Sequence, residues 1–330
     1  MLGILFLNMG GPDSLDTVRP FLFNLFSDRE IIRLGPAILQ RPIAWLIAWR
    51  RAPKSRMAYS KIGGRSPLAG ITASQAKAVQ HRLERQLGKK ILCFTGMRYW
   101  HPRTPDVLKK MKAEGVTRVL GFSLYPHYSK ATGGSSIREF ERCCRAAGLE
   151  YSVVESFPDD PGYVASLAET VRQGLSESEK LLSGAARESR GNSPVMVYSA
   201  HSLPKQMITD GDPYVEHLHR TIHALEGLTG IKGTLCFQSR SGPVEWLEPA
   251  TDTFLLDMAE RGNPVILILP ISFVSDHVET LYEIDILYKG MLRQHGTKLV
   301  RTPSLNNHPA FIKALSDIAL KAVEDAGWLR

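Results

Sequence analysis

Short apolar runs recur along the chain, and each is followed by a turn and then by a stretch with helical periodicity. The runs are rich in Val, Ile, Leu and Phe and lack the polar alternation of a strand with one face in water. Strands buried on both faces are typical of parallel sheets covered by helices. The pattern predicts an α/β fold with strands at residues 4–7, 91–95, 119–124, 195–199, 234–238 and 265–269.

The two halves of the chain contain similar short strings in the same order. Leu-Cys-Phe occurs at residues 92–94 and again at 235–237, and a tryptophan follows each copy, Trp100 or Trp246. This order indicates an internal duplication; chance likeness between two α/β halves is the alternative. We predict two similar doubly wound, Rossmann-like parallel-sheet domains that face each other across a cleft.

Turn-forming residues at 156–162, Ser-Phe-Pro-Asp-Asp-Pro-Gly, mark the expected domain boundary. The N-terminal domain is predicted at residues 1–155 and the C-terminal domain at 156–308. The amphipathic tail at residues 309–330 is predicted to be a terminal helix that packs back on the body.

Composition narrows the class of protein. Of the 330 residues, 43% are hydrophobic and 22% are charged, which fits a globular protein with a sizeable core. The net charge of +8 suits nucleic acid, an anionic membrane or a carboxylate-bearing small molecule, and does not choose among them. The four cysteines form no CxxC pair, and the first residues lead straight into a strand, so we expect a cytoplasmic protein.

In doubly wound sheets the ligand binds beyond the carboxyl ends of the strands, and an acidic segment follows the strand at 265–269. Ser275 is predicted to be an N-cap, after which Asp276, Glu279 and Glu283 follow helical spacing and form one carboxylate stripe. Such a stripe could hold a divalent cation or accept protons. A solvated acidic helix face is the alternative.

His201 comes at the end of the strand at 195–199, on the same predicted edge. An imidazole titrates near neutral pH and can therefore take up or release protons. A purely structural histidine is the alternative.

Arginine and aromatic residues follow two other strands, as Arg98 with Tyr99, and Arg240 with Trp246. This combination suits a flat, anionic, aromatic ligand through stacking and carboxylate pairing. A rim of packed aromatics with solvated arginines is the alternative. The glycine-rich segments at residues 10–12 and 133–136 match no phosphate-loop motif, so no nucleotide site is predicted. No nucleic-acid partner is predicted either.

The short apolar segment from Pro42 to Trp49 contains two tryptophans, Trp45 and Trp49, and is bracketed by arginines. Such a segment suits a membrane interface, with the arginines near lipid phosphates. A helix docked on the protein's own core is the alternative. No apolar run approaches the about 20 residues that a membrane-spanning helix needs.

Residues 269–285 closely resemble the signature of the ferrochelatase family, and the run is long enough to be specific. Further matches to the family follow in order and with sensible spacing. They lie within residues 7–12, 59–67, 98–102, 125–129, 199–204, 238–243 and 304–306.

The resemblance implies a chelatase-like enzyme of haem biosynthesis, a lyase that inserts Fe2+ into protoporphyrin IX and releases two protons. His201 would be the active-site histidine and Glu279 its facing carboxylate across a ring-sized gap, both catalytic and both able to bind metal. Asp276, His277 and Glu283 would form a proton or metal path along an irregular helix. Which group takes protons and which delivers metal is left open. The resemblance implies a porphyrin pocket of Met9, Tyr59, Arg98, Tyr99, Tyr125, Ser129 and Trp246.

Three further expectations accompany the resemblance. Fe2+ is expected as substrate with no permanently bound cofactor, and no iron-sulfur cluster, because the chain lacks the cysteine-rich extension of animal members. The segment at about 36–52 corresponds to an apolar lip, which favours peripheral membrane contact. A coproporphyrin ferrochelatase, another tetrapyrrole metal chelatase and a non-catalytic porphyrin carrier are the alternatives.

Overall fold

The computed structural model describes residues 1–182, 193–240, 242 and 244–329. Contacts divide the chain into two compact units, which are described separately. Unit 1 comprises Met1–Phe157 together with Asn306–Arg330, and unit 2 comprises Pro158–Leu305.

Unit 1 is built on a four-stranded parallel sheet in the order β2-β1-β3-β4. Phe6 and Phe122 are fully buried on neighbouring strands, with ring centroids 5.2 Å apart, and Phe122 also packs on Phe157. The strands are β1 (Leu2–Asn8), β2 (Leu92–Met97), β3 (Arg118–Ser123) and β4 (Glu150–Val154). The flanking helices are α1 (Val18–Ser27), α2 (Gln40–Ser60), α3 (Leu68–Leu87), α4 (Thr104–Ala113) and α5 (Gly133–Ala147), with a 3₁₀ turn at Ala37–Leu39.

Unit 2 repeats this architecture with a parallel sheet in the order β6-β5-β7-β8. Every residue of β7 is buried, as expected of a strand covered on both faces. The strands are β5 (Val195–His201), β6 (Thr234–Gln238), β7 (Val265–Leu269) and β8 (Lys298–Arg301). The helices are α6 (Pro161–Leu182), α7 (Lys205–Thr209), α8 (Tyr214–Thr229), α9 (Thr251–Glu260), a π-helix (Glu279–Tyr288) and α10 (Lys289–Arg293).

The terminal helix α11 (Pro309–Asp325) contacts α3, β3 and β4 and so belongs to unit 1. Phe311 and Leu315 on its apolar side are fully buried. The same strand order in both sheets confirms the predicted α/β fold with two similar parallel-sheet units. Among the described residues, no helix is both long enough and apolar enough to cross a bilayer.

Of the four edge strands, the apolar pattern predicted β2 and β6 and missed β4 and β8. β4 and β8 each begin with an exposed charged residue, Glu150 or Lys298. Each has only two successive apolar residues, so its sequence lacks the continuous apolar run that marks a buried strand.

Candidate functional site

His201 and Glu279 meet at the carboxyl edge of the sheet in unit 2. His201 is the last residue of β5, and Glu279 is the first residue of the π-helix that follows β7, the neighbour of β5. His201 Nδ1 lies 2.8 Å from Glu279 Oε2. The backbone of His201 is fixed as well, because its N–H donates to Ser272 Oγ and its carbonyl accepts from Tyr214 OH. The topology therefore brings two of the predicted site residues together, but in direct contact and not across the ring-sized gap that was predicted.

The electrostatics of this pair follow from its partial burial. The side chains of His201 and Glu279 are 35% and 18% exposed. Burial alone would lower the pKa of His201, but the Glu279 carboxylate leaves that pKa above its ordinary value. Burial would raise the pKa of Glu279, but His201 brings it below its ordinary value. Glu279 is therefore ionised, and since a carboxylate only accepts hydrogen bonds, Nδ1 of His201 is the donor.

Ser239 joins Glu279 to Glu283. It follows β6 in the left-handed region, with φ of 65°, and its Oγ lies 2.9 Å from Glu279 Oε2 and 2.5 Å from Glu283 Oε2. Burial, and then the charge of Glu279, raise the pKa of Glu283. Two linked carboxyl groups thus differ in proton affinity, an arrangement typical of groups that exchange protons.

Glu283 is held by three more groups of unit 2. Gln238 Nε2 and the N–H of Ser239 each donate to it over 3.1 Å, and Tyr288 OH donates over 3.0 Å. Ser239 and Tyr288 were not among the predicted site residues. The only indication for Ser239 was its place in the Gln-Ser-Arg segment that matches the family, and nothing in the sequence pointed to Tyr288.

A pocket of about 360 Å³ opens beside Glu283 and Tyr288. Arg240 and Trp246, the predicted arginine and aromatic pair, line this pocket with Asp252. Arg240 forms an ion pair of 3.1 Å with Asp252. Ser241 and Pro243 of the same loop lie outside the described residues.

The predicted α-helix capped by Ser275 is wrong, and so is the single carboxylate stripe. The helical segment has π geometry from Glu279, and Asp276 precedes it. Glu279 and Glu283 both approach Ser239, but Asp276 lies outside the helix and does not join them. Asp276 instead accepts from Arg301 Nη1 over 3.1 Å and from Ser304 Oγ over 2.7 Å.

His277 lies next to Glu279, with Nε2 3.9 Å from Glu279 Oε1. Its side chain is buried against the ring of Phe273, at 4.4 Å between centroids. Burial lowers the pKa of His277, so its imidazole is neutral near pH 7. No three His, Cys, Asp or Glu side chains of the described ranges are arranged to hold a metal ion.

The predicted porphyrin-binding residues of unit 1 lie on its loops and on α2. The N–H of Tyr99 donates to the carbonyl of Met9 over 3.0 Å, so the chain segments after β1 and β2 are joined. Tyr59 lies near the end of α2, while Tyr125 and Ser129 follow β3; Ser129 is fully buried and Tyr125 is half-buried. Arg98 belongs to a buried ionic cluster with Asp28 and Glu139.

The fold is that of a chelatase. SirB from Bacillus subtilis, solved with Fe3+, is 10% identical to this chain with a TM-score of 0.54, covering 99% of this chain and 98% of SirB. The sirohydrochlorin chelatase SirB from Bacillus subtilis subspecies spizizenii, solved in complex with cobalt, gives the same TM-score of 0.54 at 11% identity, covering 98% and 96%. At such low identity the likeness shows the fold alone.

Sequence comparison identifies the family. The ferrochelatase family model matches residues 1–323. Ferrochelatase from Desulfotalea psychrophila is 48% identical over 322 residues, which cover 97% of each chain. Ferrochelatase from Geotalea daltonii is 48% identical over 328 residues, covering 98% of each. The chain belongs to the ferrochelatase family, and the predicted family and enzyme class are confirmed.

Proposed function

We propose that this chain inserts Fe2+ into protoporphyrin IX, gives protohaem and releases two protons. The contact between His201 and Glu279 carries this proposal, because it pairs a proton acceptor with a carboxylate at the edge where a parallel sheet binds its ligand. The named relatives and the matched family support the reaction type.

His201 is the proposed acceptor of the pyrrole protons. In neutral His201, Nδ1 donates to ionised Glu279 and the lone pair of Nε2 can accept a proton, and the raised pKa favours that uptake. Glu279 fixes the tautomer and stabilises the imidazolium that forms, as the acidic member of a catalytic triad does. Neutral His201 and ionised Glu279 also offer one nitrogen and one oxygen to Fe2+, so both keep their proposed metal role.

Glu283 is the proposed next proton acceptor after His201 and Glu279. Ser239 Oγ bridges it to Glu279, and Glu283 and Tyr288 line a pocket to which His201 does not contribute. The charge of Arg240 in that pocket is balanced by its ion pair with Asp252. Asp276 and His277 stay predicted path residues, although the ion pair of Asp276 with Arg301 ties up its carboxylate.

The decisive experiment is anaerobic mixing of the purified chain with Fe2+ and protoporphyrin IX. The metalloporphyrin absorption spectrum should appear at a rate far above the reaction without protein. Porphyrin binding without metallation would instead identify a carrier. Parallel rates with coproporphyrin and with Co2+ identify the preferred porphyrin and metal, and a much higher rate with either would replace our assignment.

Replacing Glu279 with glutamine is expected to lower the pKa of His201. The Glu279 carboxylate raises that pKa; without its charge, burial is opposed only by the smaller effect of Glu283, and the imidazole loses its proton at lower pH. The measurement is an NMR titration of the His201 ring in metal-free protein. Asp257→Asn, which removes an exposed carboxylate from α9, is the control and should leave the titration unchanged. An unaltered or higher pKa in Glu279→Gln would contradict the pairing.

The N-terminal half of α2 supports the proposed peripheral contact with an anionic membrane. Its inward side is made of Ala44 and Ala48, while Trp45 and Trp49 are 51% and 56% exposed. The tryptophans are therefore not docked on the core. Arg19 lies over the ring of Trp45 at 4.8 Å, so positive charge accompanies the apolar surface.

Replacing Trp45 and Trp49 together with serine is expected to weaken binding to anionic lipid vesicles by roughly tenfold, because the apolar area available for insertion is lost. Cosedimentation with vesicles that contain phosphatidylserine measures this. Leu228→Ser removes a similarly exposed side chain from α8 and is the matched control. Equal sedimentation of all three proteins would argue against a membrane role for α2.

A further inference from the structure

We propose that Arg98 is a positioning residue, held by Asp28 and Glu139 so that it fixes Tyr99 in the porphyrin pocket, and that it does not pair with a porphyrin carboxylate. This inference rests on the proposed function, since it concerns how that site holds its porphyrin. All of its groups lie in unit 1.

Asp28 is the centre of the cluster. It follows α1, and its carboxylate is only 8% exposed. Its Oδ2 accepts from Arg98 Nη2 over 2.8 Å, from Tyr99 OH over 2.8 Å and from Ser135 Oγ over 2.7 Å, while Oδ1 accepts from the N–H of Glu30 over 2.9 Å. One carboxylate thus joins the α1–α2 connection to the loop after β2 and to the first turn of α5.

The three nitrogens of the Arg98 guanidinium all donate to protein groups. Nη2 donates to Asp28, Nη1 donates to Glu139 over 2.7 Å and Nε donates to Ser135 Oγ over 2.8 Å. The guanidinium nitrogens that could bind a ligand carboxylate in a bidentate manner therefore each have a different protein partner.

Charge balance leads to the same conclusion. With one guanidinium and two carboxylates, the cluster is not positive overall when Asp28 and Glu139 are ionised. A further carboxylate from a porphyrin would meet like charge in a poorly hydrated place, which is unfavourable. The arginine pairing suggested by the sequence therefore does not follow for Arg98.

The loop that Arg98 begins is fixed along both its backbone and its side chains. The N–H of Arg98 donates to the carbonyl of Asn8, and Asn24 Nδ2 donates to the carbonyl of Tyr99 over 3.0 Å. Tyr99 is buried and its hydroxyl is bound to Asp28. Loss of Asp28 or Arg98 would release Tyr99 and the residues beside it, and the expected effect is on porphyrin binding.

Protoporphyrin IX and its dimethyl ester, in the same detergent, separate the two roles of Arg98. Fluorescence quenching gives the dissociation constant of each probe with wild type and with Arg98→Met. We expect Arg98→Met to raise both constants about tenfold and to leave their ratio as in wild type, because the ester lacks only the ionised carboxylates. A rise confined to the dicarboxylic acid would overturn the proposal. The ratio compares two ligands on one protein, so reduced stability of the variant does not affect it.

The positioning role predicts that KM for porphyrin changes while kcat does not. Asp28→Asn should raise KM for porphyrin about tenfold, leave kcat within twofold and leave KM for Fe2+ unchanged. Ser135→Ala, which removes one hydrogen-bond partner of both Asp28 and Arg98, should do the same more weakly, and it serves if Asp28→Asn fails to fold. General loosening of the unit would lower kcat instead, and that result would overturn the proposal.

Glu30→Gln is the matched control. Glu30 lies two residues from Asp28, and its side chain pairs with Arg138 of α5 on the exposed surface. The substitution breaks that ion pair and keeps the backbone N–H that donates to Asp28. It should bind both porphyrins as wild type does, and a tenfold loss there would count against the assignment. Failure of the wild-type chain to metallate porphyrin would contradict the proposed function; normal wild-type metallation with an unaffected Asp28→Asn would contradict this inference alone.

Discussion

Replacing His201 with alanine is expected to lower kcat for iron insertion by about 10² to 10⁴, the usual effect of losing a positioned proton acceptor. No other imidazole takes its place, because His277 is buried and neutral, and it contacts Glu279 from the other carboxylate oxygen. Porphyrin affinity should change much less than kcat. The measurement is anaerobic metallation kinetics with a separate fluorescence titration of porphyrin binding.

Two comparisons make this result specific. His223→Ala, an exposed histidine on α8, should retain wild-type kcat. Because the side chain of His201 is 35% exposed, added imidazole should reach the vacated place and restore part of the rate. Near-normal turnover of the His201→Ala enzyme would show that His201 takes no part in the chemistry. It would also contradict the proposed role of the pair that His201 forms with Glu279.

Strands with an uninterrupted apolar run were the most predictable part of the fold. The bounds of β6 and β7 are those predicted, because each contains at least three successive apolar residues. The shared edge of His201 and Glu279 could also be predicted, since parallel strands end at one edge of a sheet, but their direct contact could not. β4 and β8 could not be found in this way, because each has only two successive apolar residues.

Contacts between residues far apart in sequence were the least predictable part of the site. Asp276 fitted the acidic stripe by spacing, but Arg301, which lies 25 positions later, pairs with it. The π geometry of the segment from Glu279 has no pattern that an α-helical periodicity test could detect. Asp28, 70 positions before Arg98, gave no signal at all, because a lone aspartate near a helix end is ordinary in a sequence.

Arg301 is expected to be the most costly arginine to remove from unit 2. Its guanidinium donates to Asp276 on one side, and through Nε and Nη2 to Asp285 on the other, at 3.0 and 2.8 Å. The three side chains are 12%, 19% and 22% exposed. The pairs therefore tie Asp276, three positions before the π-helix, and Asp285 within that helix to the end of β8. Removing the guanidinium leaves both carboxylates without this cation and with little hydration.

Arg301→Met should lower the free energy of unfolding by about 3 kcal/mol, the lower end for a broken buried pair because these groups keep some contact with water. For a unit of this size that corresponds to a fall of roughly 6 to 12 °C in Tm. Differential scanning calorimetry measures it. Arg261→Met breaks an exposed pair with Asp257 on α9 and should cost less than about 0.5 kcal/mol.

Adding Asp285→Asn to the Arg301→Met variant should recover part of the lost stability, because one of the two carboxylates that lose Arg301 is then neutral. The recovery distinguishes electrostatic loss from lost packing of the arginine stem, which a neutral partner would not restore. Since Asp276 and Asp285 flank Glu279 and Glu283 in sequence, the single variant should also lower kcat, and the double variant should regain part of it. An Arg301→Met protein as stable as wild type would show that the π-helix is held by its packing on the sheet alone.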